Sequence, residues 1–330
     1  MRKYSLILIL FLLGGCLENE SAELIKGDIM GTSYSINVLG DKRVNQALID
    51  KRLIEINGIF STWQEDSELS QLNQSPLGEW ITVSEELYLL LKSSDEIYKQ
   101  TDGYFDPGIG RLIDLWGFGS SGGRTELPKI EDIERAFKDS SIKYLVIEDG
   151  RVKKLRDIKI NLSAIAKGYA VDEVARLIKA SGVENFFVEI GGEIVASGTN
   201  KGDDWVIGVE RPDNKSPIPV KLKNTSIATS GNYRNFFIWE GKKYMHIFNP
   251  ESGFPANNDL ASVSVIHPQS ALSDAYATAM MAMGSGKAKM PFLSLAIVSD
   301  KGAKPRNFLC CVVSCCFCAC SDKIERHDQS

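Results

Sequence analysis

Phe186-Phe187-Val188-Glu189-Ile190 and Glu193-Ile194-Val195-Ala196-Ser197 are two short, largely apolar runs separated only by Gly191-Gly192. Such short runs, rich in β-branched and aromatic residues, read as strands. Four more follow, at Trp205–Val209, Val220–Leu222, Phe236–Trp239 and Ala261–Ile266. Upstream, Leu24–Leu39 alternates as a strand pair bent at Met30-Gly31-Thr32, and Leu145–Ile147 with Val152–Lys154 flank Asp149-Gly150 as a hairpin. Helical spacing occurs in Arg43–Phe60, where Val44, Leu48, Leu53, Ile56 and Ile59 recur. A second helix starts after Ser84 as N-cap and runs to about Gln100. Ser163 is the expected cap of a third helix reaching Ala180, Ser270–Gly284 is a small-residue helix, and Leu293–Val298 is a final strand. Strands and helices do not alternate as β-α-β units, which predicts an α+β fold of mixed sheets with packed helices.

The composition narrows the class. The 330 residues carry 38 Lys+Arg against 43 Asp+Glu, a formal charge of −5, with 43% hydrophobic and 25% charged residues. These values exclude disorder, collagen-like repeats and a polytopic membrane protein. No Lys/Arg-rich run is present, so no nucleic acid is expected as partner. With three His in the chain, a poly-His metal site is not expected.

Residues 1–15 read as a signal peptide: Arg2 and Lys3 precede an apolar run far shorter than the roughly 20 residues needed to span a bilayer. The ending Leu13-Gly14-Gly15-Cys16 resembles a bacterial lipobox, in which Cys16 is lipidated. An ordinary signal peptide with an incidental Cys is the alternative. Residues 16–23 then form a polar tether and 24–300 one catalytic-sized domain, lipid-anchored to a bacterial membrane and facing the periplasm or cell exterior. The other six Cys fall between Cys310 and Cys320, at a spacing unlike the paired C-x2-C of a zinc site. Residues 301–330 are therefore expected to be a divergent Cys-rich tail without part in the function, with a thiol-rich metal tract as the alternative.

Several segments carry chemistry. Asp102–Gly110 joins Tyr104, Phe105 and Asp106 to backbone freedom at Gly103 and Gly108, and suits a planar ligand or a self-packed loop equally. Asn161-Leu162-Ser163-Ala164-Ile165-Ala166-Lys167-Gly168 stands where a strand meets a helix. Free amides and a Lys one turn in suit a phosphate, although Lys167 also reads as a surface lysine. Asp274 and Thr278 share one helix face at i and i+4 and can supply part of a Mg²⁺ shell, or merely an acidic first turn and a buried Thr. His246 ends a strand before Asn249-Pro250 and reads either as a general base or as a structural His.

Taken in order, these segments resemble the ApbE-type FAD:protein FMN transferases. The matching stretches are Met30-Gly31-Thr32, Ser61-Thr62-Trp63 with Ser67-Glu68-Leu69-Ser70, and Gly103–Pro107 through Leu115–Gly119. Asn161–Ala170, Glu189–Glu193, Ile227–Gly231, His246–Pro255 and Ser273–Ala279 complete the set. The resemblance implies a site in a cleft between two subdomains, where a Mg²⁺-dependent enzyme moves FMN from FAD onto a Thr hydroxyl of a partner protein and releases AMP. Typical acceptors are subunits of Rnf- or Nqr-type redox complexes. It further implies Met30, Trp63, Tyr104, Phe105, Asp106, Asn161, Lys167 and Phe248 as FAD contacts. Asp274, Thr278 and the Ala164 carbonyl are implied as metal ligands and His246 as the base. Asn161 stands where the family commonly has Asp, and Phe248-Asn249 where it commonly has Ile-Asp. The same residues leave two rival activities open: an FAD pyrophosphatase and a non-catalytic flavin-binding lipoprotein.

Overall fold

In the computed structural model the described residues are 21–288, apart from 121, 123–125, 212–215 and 233–235, together with the backbone of 295–300 and 309–311. The signal segment, Cys16 and most of the tether and Cys-rich tail lie outside them. No helix among the described residues is long and apolar enough to cross a membrane.

The chain opens with β1 (Ala22–Ile29) and β2 (Thr32–Leu39), joined by a two-residue turn in which Met30 and Gly31 have φ of 52° and 71°. Such left-handed pairs match the twist of the flanking strands. Helix α1 (Gln46–Phe60) is capped by the Asn45 side chain and buries Ile49, Leu53, Ile56 and Phe60. The stripe is rotated from the expected one, and Leu48 is exposed. Next come α2 (Glu68–Gln74), β3 (Ile81–Thr82) and α3 (Glu85–Gln100), the last capped by Ser84 as its sequence predicts. The Gly-rich stretch holds one short helix, α4 (Gly110–Leu115), and α5 (Ile130–Asp139) follows. Strands β4 (Leu145–Glu148) and β5 (Arg151–Lys154) turn on Asp149-Gly150 with φ of 47° and 74°.

Helix α6 (Ala166–Ala180) starts two residues later than expected, and its N-cap, Ile165, makes no side-chain capping bond. Ser163 is not its cap: its hydroxyl and amide both donate to Asn161 Oδ1, at 2.5 and 2.9 Å. The Asn side chain wins that competition by closing an Asx turn before the helix begins. The strands β6 (Phe186–Ile190), β7 (Glu193–Ser197), β8 (Trp205–Val209), β9 (Ile218–Leu222) and β10 (Thr225–Gly231) succeed one another with no helix among the described residues between them. The hairpin β11 (Phe236–Trp239) and β12 (Lys242–Met245), then β13 (Leu260–His267), α7 (Ser270–Met283), β14 (Leu295–Asp300) and β15 (Leu309–Cys311) complete the order.

Eight strands form the main sheet, in the order β1-β2-β6-β7-β10-β13-β14-β15, and its pairs are antiparallel. The sheet thus extends to Leu309–Cys311, inside the stretch set apart in sequence as a tail. Helices α1, α6 and α7 cover one face, burying Ile36, Val188, Val263 and Val174 in the main core. Each such side chain contributes about 1.5–3 kcal/mol of burial. The β8–β9 ladder builds a second apolar cluster around Trp205 and Leu222, and α4, α5 and the β11–β12 hairpin build a third around Trp116 and Phe248.

Candidate active site

A cavity of about 730 Å³ opens where the three apolar clusters meet. Phe105 and Ile247 come from the main core, Ile194, Ile207 and Ile227 from the second, and Ile113, Phe118 and Phe248 from the third. Its floor is a split in the main sheet. The β7–β10 ladder stops at Ile227↔Ile194, while β10 continues beside β13 to Gly231. Thr229, Ser230 and Gly231 therefore line the cavity along an edge that β7 no longer covers.

The charged part of the site comes from α6, α7 and the first residue of β7. Lys167 Nζ lies 2.5 Å from Glu193 Oε1, and the Glu193 side chain is 3% exposed. The second oxygen, Glu193 Oε2, is buried without a hydrogen-bond partner. Asp274, 4% exposed, accepts the Gly168 amide at 3.2 Å through Oδ2. Burial works against the Lys167 ammonium, but Glu193 and Asp274 outweigh it and hold its pKa above the ordinary value. Burial lifts the Glu193 carboxyl to about 8, with Asp274 adding repulsion and Lys167 opposing. It also raises Asp274. With both carboxyl pKa values raised, a proton on one of them balances the Lys167 ammonium, and a cation entering beside them would displace that proton.

Packing fixes these groups in place. Gly168 sits where α6 crosses α7, so close that an added Cβ would lie 2.3 Å from the Ser270 carbonyl oxygen. Asp172 of α6 accepts the Ser270 and Ala271 amides at 2.8 and 2.9 Å and so caps α7 from the neighbouring helix. On the sheet side Ser226 bonds Ser273 at 2.7 Å and Ser230 bonds Thr278 at 3.0 Å.

The ring-bearing residues stand on loops. Trp63 follows α1, is 67% exposed and lines the cavity. Its loop is tied by Ser61, whose hydroxyl accepts the Trp63 amide at 3.0 Å, and by Ser67, whose hydroxyl donates to the Ser61 carbonyl at 2.5 Å. Glu68 accepts from the Ser84 amide and hydroxyl at 2.5 and 2.6 Å, locking α2 to the start of α3. Tyr104 takes a hydrogen bond from Lys287 at 2.5 Å, and Lys287 also pairs with Glu251 at 2.8 Å. Asp106 Oδ1 accepts the Gly108 and Ile142 amides, each at 2.8 Å, and burial pushes its pKa up to about 6. His246 follows β12 and stands edge-on to Phe118, with ring centroids 6.3 Å apart.

Trp63, Tyr104, Phe105, Asp106, Asn161, Ala164, Lys167, His246, Phe248, Asp274 and Thr278 thus all line one cavity. Met30 does not line it. It occupies the first turn position between β1 and β2, with its side chain partly buried against the main core, and Thr32 and Ser33 line the cavity instead. Glu193 lines the same cavity, and nothing in its local sequence marks it individually as a site residue. Its only signal was its place in the Glu189–Glu193 stretch.

A model of the ApbE family matches residues 30–294. The chain belongs to the ApbE family. An FAD:protein FMN transferase of Vibrio cholerae is 36% identical over 285 residues, 83% of this chain and 85% of that relative. The Escherichia coli K12 protein of the same name is 31% identical over 280 residues, 81% of this chain and 80% of its own. Among solved structures, the flavin transferase ApbE from Vibrio cholerae superposes with a TM-score of 0.78 at 34% identity, covering 84% of this chain and 94% of that one. The apo flavinyl transferase ApbE of Pseudomonas stutzeri gives 0.80 at 30% identity, covering 88% and 94%.

The surroundings account for Asn161 and Phe248, the two positions where the sequence stands apart from the resembled pattern. The acceptor role of Asn161 Oδ1 toward Ser163 is one that Asp performs equally, so the turn survives the exchange. Phe248 is buried against Trp116 and Phe118, with ring centroids 6.5 and 6.3 Å away, so its bulk is absorbed by the aromatic cluster behind the cavity.

Proposed function

We propose that this chain transfers FMN from FAD to a Thr hydroxyl of a partner protein, releasing AMP, with Mg²⁺ held by Asp274, Thr278 and the Ala164 carbonyl. The observation that carries the reading is the meeting of Lys167 and the buried carboxyls Glu193 and Asp274 with His246 and several aromatic faces in one cavity. Its volume lies within the roughly 300–1,000 Å³ of small-molecule sites.

The donor set suits the metal. No group of three or more His, Cys, Asp or Glu able to hold a metal occurs among the described residues. One carboxylate with a hydroxyl and a carbonyl is a hard-oxygen set that leaves positions for water and phosphate, as Mg²⁺ prefers. The buried carboxyl excess around Lys167 and the unpartnered Glu193 Oε2 favour a cation nearby. When bound, Mg²⁺ supplies neutralisation of the pyrophosphate charge that repels a nucleophile.

The chain's own residues do the rest. Lys167 binds the phosphates as a fixed positive charge in a water-poor wall. Trp63 and Tyr104 offer flat faces to the flavin or adenine ring. Asp106, through its amide bonds, holds the loop that carries Tyr104 and Phe105. His246 takes the proton of the acceptor hydroxyl as the Thr oxygen bonds to the FMN phosphorus. The bond from that phosphorus to the bridging oxygen breaks, and AMP departs with the electron pair.

We further propose that Cys16 is lipidated and that the enzyme faces the periplasm or cell exterior, where an Rnf- or Nqr-type membrane subunit is its acceptor. Mass spectrometry of such a Thr-bearing domain after incubation with enzyme, FAD and Mg²⁺ tests the reading. The expected result is a gain of one covalently attached FMN that chelation of Mg²⁺ prevents. Unmodified acceptor with FMN and AMP accumulating would replace it by a pyrophosphatase, and intact FAD by a flavin-binding protein.

A further inference from the structure

A transferase that modifies a protein must bring a segment of that protein into its cavity, and β8 has the form of a receptor for one. Ile207, Gly208 and Val209 of β8 and Glu210 just beyond it line the cavity. Successive side chains of a strand point to opposite faces, so three strand residues in a row reach one cavity when the strand lies along it edge-on. One edge of β8 pairs with β9, and no described strand pairs with the other.

The pairing register says which groups that free edge presents. Gly208 stands opposite Pro219. Residues facing each other in an antiparallel ladder either exchange both hydrogen bonds or none, and Pro has no N–H to give. The Gly208–Pro219 pair is therefore a non-bonded one, and Ile207 and Val209 make the ladder bonds to Val220 and Ile218. The N–H and C=O of Gly208, and by alternation those of Val206, point away from β9 toward the free edge.

The two outer edges of this ribbon are treated differently. That of β9 is blunted, because the outward position of Pro219 has no donor and Lys221 is charged. Trp205-Val206-Ile207-Gly208-Val209 has no charge and no Pro, and Val206 is 58% exposed. Gly208 has no side chain to hold an approaching backbone at a distance.

We propose that the Thr-bearing segment of the acceptor protein docks in extended form as an added strand on the free edge of β8, which delivers its hydroxyl into the cavity. The contacts are main-chain hydrogen bonds to Val206 and Gly208, so they hold a segment in register without reading most of its side chains. The inference rests on the transferase reading, and the test separates the two.

Amide hydrogen exchange is measured on the full chain with FAD, with and without the acceptor domain of the transfer assay carrying Thr→Val at its modified position. Slower exchange at Val206 and Gly208 on adding the domain is expected, and unchanged exchange at both would overturn the docking mode. Val206→Pro removes one outward N–H and no ladder bond to β9. It should raise the KM for the acceptor about ten-fold while the FAD Kd and the melting temperature stay at wild-type values. Val206→Ala keeps the N–H and should keep the wild-type KM. A wild-type KM in Val206→Pro, or an equal rise in both variants, would refute strand addition. If unaltered enzyme transfers no FMN to any acceptor, the transferase reading fails and this inference with it.

Discussion

The wall that α6, α7 and the start of β7 give to the cavity and the wall that β8 and the Trp63 loop give it are built for different tasks. The first holds its two carboxyls out of water, with Lys167 at the cavity surface. Lys167, Glu193 and Asp274 are clustered behind a helix crossing so tight that Gly168 touches the backbone of α7. The second keeps large apolar groups and a strand edge in the open, with Trp63 and Val206 mostly exposed. A preorganised charge cluster is useful for a small anionic group that must be stabilised as it reacts. An open edge is useful for a macromolecule that arrives and leaves. One cavity can hold both because the main sheet splits between β7 and β10, leaving one wall backed by helices and the other bordered by a two-stranded ribbon.

The comparison predicts that changes in the first wall damage chemistry more than binding. The largest effect belongs to Asp274→Ala. Losing the only carboxylate among the proposed metal ligands removes several kcal/mol of charge stabilisation, so single-turnover FMN transfer should fall by about a thousandfold or more. The variant should bind the acceptor domain as the wild type does. Undiminished transfer would refute the metal site and, with it, the division between the walls. His246→Ala comes second, with transfer slowed by about 10²–10⁴-fold, the ordinary range for a general base. Its FAD Kd, read by flavin fluorescence, should stay within about two-fold of wild type because the ring is assigned to the acceptor's proton. A large rise in that Kd would move His246 from the chemistry to the flavin pocket.

Much of this arrangement was legible in the sequence, for reasons that can be given residue by residue. Turns with left-handed requirements announce themselves, as at Asp149-Gly150. Ser84 caps α3 because a Ser before Glu85-Glu86 satisfies early amides and favours the helix dipole. Asp274 and Thr278 share a helix face by spacing alone. Other features depend on what lies far away in the chain. The pairing of Lys167 with Glu193 spans a helix and a strand, and neither residue shows its partner locally. Thr225–Gly231, all small or polar except Ile227, lacks the alternation of a strand, yet β10 lies at the centre of the sheet because β13 and α7 cover it. Ser163 reads as a cap until Asn161 is seen to compete for the same turn. Met30 packs partly against the core rather than lining the cavity, a placement its three-residue motif does not reveal.

The smallest effect in the series concerns the back of the first wall, where two glycines of the cavity region can be compared. A Cβ on Gly208 would meet only the ring of Pro217, at 2.9 Å. A Cβ on Gly168 would meet Ser270 O at 2.3 Å and Ala271 Cα at 2.7 Å, and both are backbone atoms that cannot swing aside. Gly168→Ala must therefore push α6 from α7, and overpacking of this kind costs about 1–3 kcal/mol. The gain of a better helix former, about 1 kcal/mol, offsets part of that cost. A net loss of up to about 2 kcal/mol in urea unfolding is expected. The displacement also parts the Gly168 amide from Asp274 Oδ2 and shifts Lys167 relative to Asp274, so transfer should slow while strand docking on β8 is untouched. An acceptor KM that rises together with the loss of transfer would mean that the two walls move as one body, and the functional division between them would have to be abandoned.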